Sequence, residues 1–263
     1  DLAIITDIST YLDVRTEWGE MFNLADLASE FADTVRRELD YEREARNTRE
    51  MAIAFVGHDR LRIPDIHPEL SSRTVLVQEY IAGPTLGRTG VVGGDRGRLL
   101  ADQLFDAQVR AMIDGDRFHA DAHPGNLILC DDGRVGLIDF GLSSRLDTFE
   151  RSALGDVLTA IALNDPAMLR EAAFAIGEPR REVDPARLER ACAKIMTEHL
   201  TADAQPSAEM LNDFLDVVYR FGLALPPNIT ALFRALVTLQ GSLEQLSPDY
   251  PLISQAERLA SSE

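Results

Sequence analysis

Residues 118–141 read Phe118-His119-Ala120-Asp121-Ala122-His123-Pro124-Gly125-Asn126-Leu127-Ile128-Leu129-Cys130-Asp131-Asp132-Gly133-Arg134-Val135-Gly136-Leu137-Ile138-Asp139-Phe140-Gly141. Two short apolar runs, Leu127 to Cys130 and Val135 to Ile138, flank a polar stretch holding an Asp-Gly pair, which is a hairpin signal. Such a hairpin carries Asn126 at its entrance and Asp139 at its exit, so both lie at its open end. Asp121 sits on the loop just before.

Phosphoryl transfer from ATP needs a metal to neutralise shared phosphate charge, oxygen ligands to hold it, and a carboxylate to orient or deprotonate the nucleophile. Asp121 is the candidate catalytic carboxylate, and Asn126 and Asp139 are the candidate magnesium ligands at the nucleotide. An Asp with an Asn five positions on, followed by a hairpin ending in Asp-Phe-Gly, reproduces the order of the kinase catalytic and metal-binding loops. His-x-Asp or Asp-Phe-Gly alone arises often by chance; the order, the five-residue step and the hairpin carry the reading together. His119, Asp121 and His123 also have the spacing of a zinc cluster. The kinase reading instead gives His119 a backbone-bracing role and leaves His123 and Pro124 to shape the loop.

Working outward, Leu99 to Ile113 is a strongly apolar helix. The glycine-rich stretch from Gly87 to Gly97 neither follows a strand directly nor opens a helix with a lysine, so it reads as a surface connection rather than a phosphate loop. Ile63 to Ile66 and Thr74 to Ile81 read as strands, the second ended by Ala82-Gly83-Pro84. From Thr10 to about Val56 the apolar spacing predicts one or two long helices, with Asn23 or Asp26 capping the second. After about Thr148 the chain reads as helices at Ala153 to Leu163, Met168 to Ala175, Pro185 to Leu200, Ala208 to Phe221 and Ile229 to Leu246, without an internal repeat.

The 263 residues are 45% hydrophobic and 27% charged, ordinary globular usage. A net charge of −18 repels nucleic-acid phosphates and anionic headgroups, and no basic patch reverses it, so nucleic acid is excluded as a partner. The same charge opposes ATP unless a metal bridges the two. Two distant cysteines, Cys130 and Cys192, fit a reduced cytosolic compartment without a structural disulfide. No run approaches the roughly 18 apolar residues that span a bilayer, and residues 1–6 lack a signal-peptide pattern, so a cytoplasmic setting is expected.

The loop from His119 to Asn126, together with Arg37-Glu38-Leu39-Asp40-Tyr41-Glu42-Arg43-Glu44-Ala45 upstream, resembles the UbiB-type atypical kinase family, also called AarF or ADCK proteins. The resemblance implies an α+β, protein kinase-like two-lobed fold: a partial N-terminal lobe over residues 1–82, and a mainly helical C-terminal lobe over 83–263 carrying the hairpin at 118–141. It makes Glu38 and Asp40 the Glu-x-Asp pair and Glu44 the helix glutamate that pairs with the ATP-binding lysine. It makes Glu79, Tyr80 and Ile81 the hinge that meets adenine, and Leu225 to Gly241 the late helical segment. On their residue types alone, Glu38 and Glu42, four apart, equally fit an exposed helix face.

By the same resemblance the cofactors are ATP and Mg2+, and the activity is that of an ATPase or phosphotransferase linked to isoprenoid quinone biosynthesis and lipid homeostasis. Isoprenoid lipid or quinone-pathway proteins are then the partners, met peripherally at a membrane. Lys194 is the only lysine, and the family's lysine-bearing strand, alanine-rich loop and Lys-x-Gly-Gln helix are missing. The expectation is a fragment that begins after that strand and binds ATP poorly alone. Two other readings stay open: a small-molecule phosphotransferase of the aminoglycoside or choline kinase type, and a non-catalytic pseudokinase scaffold.

Overall fold

The computed structural model describes residues 39–115, 117–200 and 208–251, with isolated positions at 4, 5, 8, 9, 11, 28, 32, 35 and 255. Helix α1 (Tyr41–Ala54) starts at Asp40, whose carboxylate accepts the Arg43 N–H at 3.2 Å. Asp40 has φ −96° and ψ 85°, outside the helical region, so the long helix expected through this stretch breaks there. An aspartate offers the orphan first-turn donors an acceptor and so starts a helix more readily than it continues one. The caps expected at Asn23 and Asp26 lie outside the described residues. α1 buries Ala45, Asn47, Thr48 and Met51 on one face.

Strand β1 (Leu61–Arg62) follows. The two runs expected as strands meet only at the bridge Ile66↔Gln78, flanked by His67 N–H to Val77 O and Glu79 N–H to Asp65 O. Pro64 has no N–H to offer a ladder, which limits the pairing to these contacts. Gly83 then crosses the hairpin at φ +143°, where a Cβ would lie 2.2 Å from the Leu129 carbonyl oxygen; only glycine permits that approach.

The expected glycine-rich connection contains a short helix, α2 (Leu86–Thr89), and α3 (Gly94–Asp114) begins five residues earlier than its apolar pattern suggested. The stretch is fixed by Val92 and Gly93, whose N–H groups donate to the Gln245 and Leu246 carbonyls at the far end of the chain. α3 ends at Gly115 in the left-handed conformation typical of a helix C-terminus.

The hairpin forms as expected. β3 (Leu127–Leu129) and β4 (Val135–Leu137) are antiparallel with Leu127 opposite Leu137, and β1 adds in parallel on the far side of β4. β2 (Phe118–His119) pairs antiparallel with β5 (Ser143–Ser144), zipping the segment before Asp121 to the segment after Asp139.

The rest is helical: α4 (Thr148–Ala162), α5 (Pro166–Ile176), α6 (Pro185–His199), α7 (Ala208–Arg220) and α8 (Pro227–Leu246). Asp147, Asp165 and Asp184 cap the first three, and proline occupies the first turn after the latter two. These helices match the sequence expectation to within two residues at most ends, except that α4 begins five residues before the expected Ala153. The short pair β6 (Glu178–Pro179) with β7 (Leu223–Ala224) was not foreseen. One apolar core runs from Met51 of α1 and its C-cap Phe55 through Leu104 of α3 and the hairpin to Phe214, Leu232 and Leu239. The architecture is α+β: small sheets beside a large helical body.

Candidate functional site

α1, the loop before the hairpin and the segment after it enclose a cleft of about 490 Å³ lined by Tyr41, Glu44, Gln78, Asp121, Asp139 and Gly141, with Ile138 and Leu142 completing the wall. Three carboxylates from three parts of the chain therefore share one opening.

The loop holding Asp121 closes on itself. The Asp121 N–H donates to His119 Nδ1 at 3.2 Å, and its carbonyl accepts the Asn126 Nδ2 amide at 3.1 Å. The Asn126 N–H donates to the His123 carbonyl, and the Ile138 N–H donates to the Asn126 carbonyl. Asn126 is thus tied between loop and hairpin through its main chain and one amide N–H, and Oδ1 is the end suited to a cation.

His119 is fully buried. Since Nδ1 accepts the Asp121 N–H, Nε2 carries the proton and donates to the Ile138 carbonyl at 3.3 Å. Its own N–H donates to Gln108 Oε1. Burial lowers its pKa, the nearby Asp139 and Asp121 charges opposing only in part, so the ring is held neutral. Both ring nitrogens are engaged, and His123 Nδ1 accepts the Gly125 N–H. Among the described residues no three His, Cys, Asp or Glu side chains form a metal-binding group, so the zinc reading of His119, Asp121 and His123 fails.

Asp139 has φ +62°, the left-handed region that a non-glycine residue enters at a cost. The carbonyls on either side of it are both held by side chains: Ile138 O by His119, and Phe140 O by Asn47 Nδ2 at 2.8 Å. The Gly141 N–H donates to Asp139 Oδ1 at 3.3 Å. Glu44, in the first turn of α1, has its pKa raised to about 7, first by burial and then by the neighbouring Asp139 charge. No cation among the described residues pairs with it.

The remaining sequence-derived candidates sit elsewhere. Glu38 lies outside the described residues, and Asp40 is the helix cap. The Glu79 carboxylate faces Arg62 rather than the cleft, and the hydrogen bond from Arg62 holds it below the usual range. Tyr80 is 85% exposed, whereas Ile81 is buried against Ile128 and Cys130. The two cysteines are buried and free. Sequence reasoning missed Tyr41 and Gln78 in the cleft and Asn47 and Gln108 behind it. Asn47 did leave a signal: it is a poor helix former among the apolar-spaced positions of α1, which calls for a local partner.

Residues 1–173 match the model of the ABC1 atypical kinase-like domain, and residues 205–250 match that of the UbiB helical domain. Protein ACTIVITY OF BC1 COMPLEX KINASE 3, chloroplastic, of Arabidopsis thaliana is 27% identical over 252 residues, covering 94% of this chain and 35% of that protein. An aarF domain-containing protein kinase of the same plant is 22% identical, covering 96% and 36%. An uncharacterized Synechocystis protein is 27% identical over 256 residues, covering 92% and 62%. The chain therefore spans less than two thirds of the length of these relatives, and little more than a third of the two plant proteins. Among solved structures, the complex of Rv3197 with erythromycin from Mycobacterium tuberculosis matches with a TM-score of 0.65 at 24% identity, covering 98% of this chain and 66% of that one. The likeness is one of fold.

Proposed function

Since the chain belongs to the ABC1 atypical kinase-like family, we propose that its cleft binds ATP with magnesium and transfers the terminal phosphoryl group to water or to an acceptor. The observation carrying this reading is the convergence of Asp121, Asp139 and Glu44 on one opening, with Asp139 kept in the left-handed conformation. Asp121 orients the acceptor oxygen and receives its proton. The donor set suits a hard cation: the Asp139 carboxylate and Asn126 Oδ1 supply two oxygens, and a magnesium site made largely of phosphate and water needs few protein ligands. The cation supplies the positive charge that offsets phosphates facing a carboxylate-lined wall. The backbone of residues 79–81 meets the adenine.

The family resemblance sets this chemistry in isoprenoid quinone biosynthesis and lipid homeostasis, with an isoprenoid lipid or a quinone-pathway protein as partner at a membrane surface. The match of residues 205–250 to the UbiB helical domain supports that setting. Among the described residues no helix is long and apolar enough to cross a membrane.

The test is calorimetry of Mg-ATP binding to the intact protein. Asp139→Asn removes the carboxylate charge that would hold the metal and should abolish most magnesium-dependent binding, while Asp121→Asn should retain binding and lose turnover. Undiminished affinity in Asp139→Asn overturns the metal assignment. Multiple-turnover phosphorylation of a soluble alcohol would instead mark a small-molecule phosphotransferase. A wild-type protein with no response to Mg-ATP would be a scaffold.

A further inference from the structure

Asp139 occupies an unfavourable backbone region, and something must pay for that and fix the direction of its carboxylate. The two carbonyls that bracket it are each gripped by a side chain from a different element. His119, from β2, takes Ile138 O, and Asn47, from α1, takes Phe140 O. The Asn47 bond is short and buried, spans 93 residues of sequence, and comes from a side chain only 4% exposed. Phe140 is fully buried, with its ring 5.0 Å from that of His119, so the peptide cannot turn to find water instead. Glu44 stands one turn before Asn47 and lines the same cleft as Asp139.

We propose that Asn47 is the positioning residue of this site, tying the conformation of Asp139 to helix α1 through the Phe140 carbonyl. Any shift of α1 then carries the Phe140–Gly141 peptide, one residue beyond Asp139, with it, and the loop and helix move as one body. The proposal deepens the metal-nucleotide reading, from which it takes the role of Asp139.

The experiment uses the intact protein with two substitutions: Asn47→Ala, and Asn47→Asp, which keeps the volume and loses the donor. The control is Thr48→Ala, on the same buried face, whose hydroxyl donates only to the Glu44 carbonyl within α1. Hydrogen–deuterium exchange of the peptide covering residues 138–143 is measured without ligand, alongside the magnesium concentration giving half-maximal ADP binding. A lost buried hydrogen bond should speed exchange there by at least about tenfold in both Asn47 variants. The magnesium midpoint should rise while metal-free ADP binding stays unchanged, a split that general loosening would not produce. Thr48→Ala should leave both readouts near wild type. Exchange at 138–143 that is unchanged, or accelerated as much by Thr48→Ala, overturns the proposal. Faster exchange in the Asn47 variants with no metal-dependent ADP binding in the wild type leaves the latch standing and refutes the nucleotide reading instead.

Discussion

Glu44 is the group through which the charge of the cleft should be measurable without any ligand. Its carboxyl ionises in the folded chain at about 7 rather than at 4.5, mainly because burial strips water from the ion and secondarily because Asp139 repels it. A raised acid pKa stabilises the fold fully below the unfolded value, and that contribution is lost as pH rises through 4.5 to about 7. At face value the difference is worth about 3 kcal/mol, but the carboxyl opens onto the cleft and screening leaves about 1–2 kcal/mol. Glu44→Gln keeps the shape and cannot ionise, so it escapes the loss. The melting-temperature difference, variant minus wild type, should therefore increase by about 2–8 °C between pH 5 and pH 8, at about 2–4 °C per kcal/mol for a chain of this size. Comparing the difference across pH cancels any fixed cost of the amide. Differential scanning fluorimetry over that range, in matched ionic strength, is the assay. A difference that stays constant from pH 5 to pH 8 would refute the account, because it would mean that Glu44 ionises as freely in the cleft as in water.

Two further expectations test the frame around the cleft. Gly83→Ala should cost at least about 2 kcal/mol in denaturant unfolding, since the new Cβ would meet the Leu129 carbonyl. Gly90→Ala, also at positive φ but with nothing within 4 Å, should cost less; equal losses would show that backbone strain alone matters at Gly83. His119 has a lowered pKa, so its contribution is intact above its unfolded value of 6.5 and is lost as pH falls toward the folded one. Stability should accordingly decline below pH 6.5, and His119→Gln should flatten that decline; an unaltered acid slope would mean that other groups cause it.

The hairpin and the five late helices were legible because each is specified locally. An Asp-Gly turn between apolar runs fixes β3 and β4, and an Asp-Pro start marks α5 and α6. That Asp121 and Asp139 come to one opening was legible for a similar reason, since the hairpin and the loop before it fix their relation. Residues 63–81 were not. Their β-branched and aromatic residues carry strand propensity, but Arg62 takes Glu79 and Ser71 takes the Val77 N–H, partners that lie in no local pattern. The break at Asp40 was hidden by continuous apolar spacing, because one capping side chain weighs little in a periodicity count and decides the backbone all the same. Asn47 left only its poor helix propensity as a signal and Gln108 none, because their partners are main-chain groups on other elements.

Those remote partners share a property that bears on the chemistry. Gln108 holds the His119 N–H, His119 holds Ile138 O, Asn47 holds Phe140 O, and Ser242 of α8 donates to Ala122 O at 2.6 Å beside Asp121. All four braces are uncharged: two amides, a neutral imidazole and a hydroxyl. An arginine or lysine in any of these places would rigidify the loops equally well, yet its charge would compensate the carboxylates and compete with an incoming cation. Two arginines that come near pair elsewhere, since Arg117 and Arg145 both meet Glu50 of α1, nearly two turns beyond Glu44. The hydrogen bond from Arg117 holds Glu50 below its usual pKa, the reverse of what happens at Glu44 on the same helix. Helix α1 thus carries one carboxylate whose charge is already answered and, six residues earlier, one whose charge is left facing the cleft. The charge that Asp121 and Asp139 bring to the cleft is thus not answered from helix α1, which leaves room for the proposed cation.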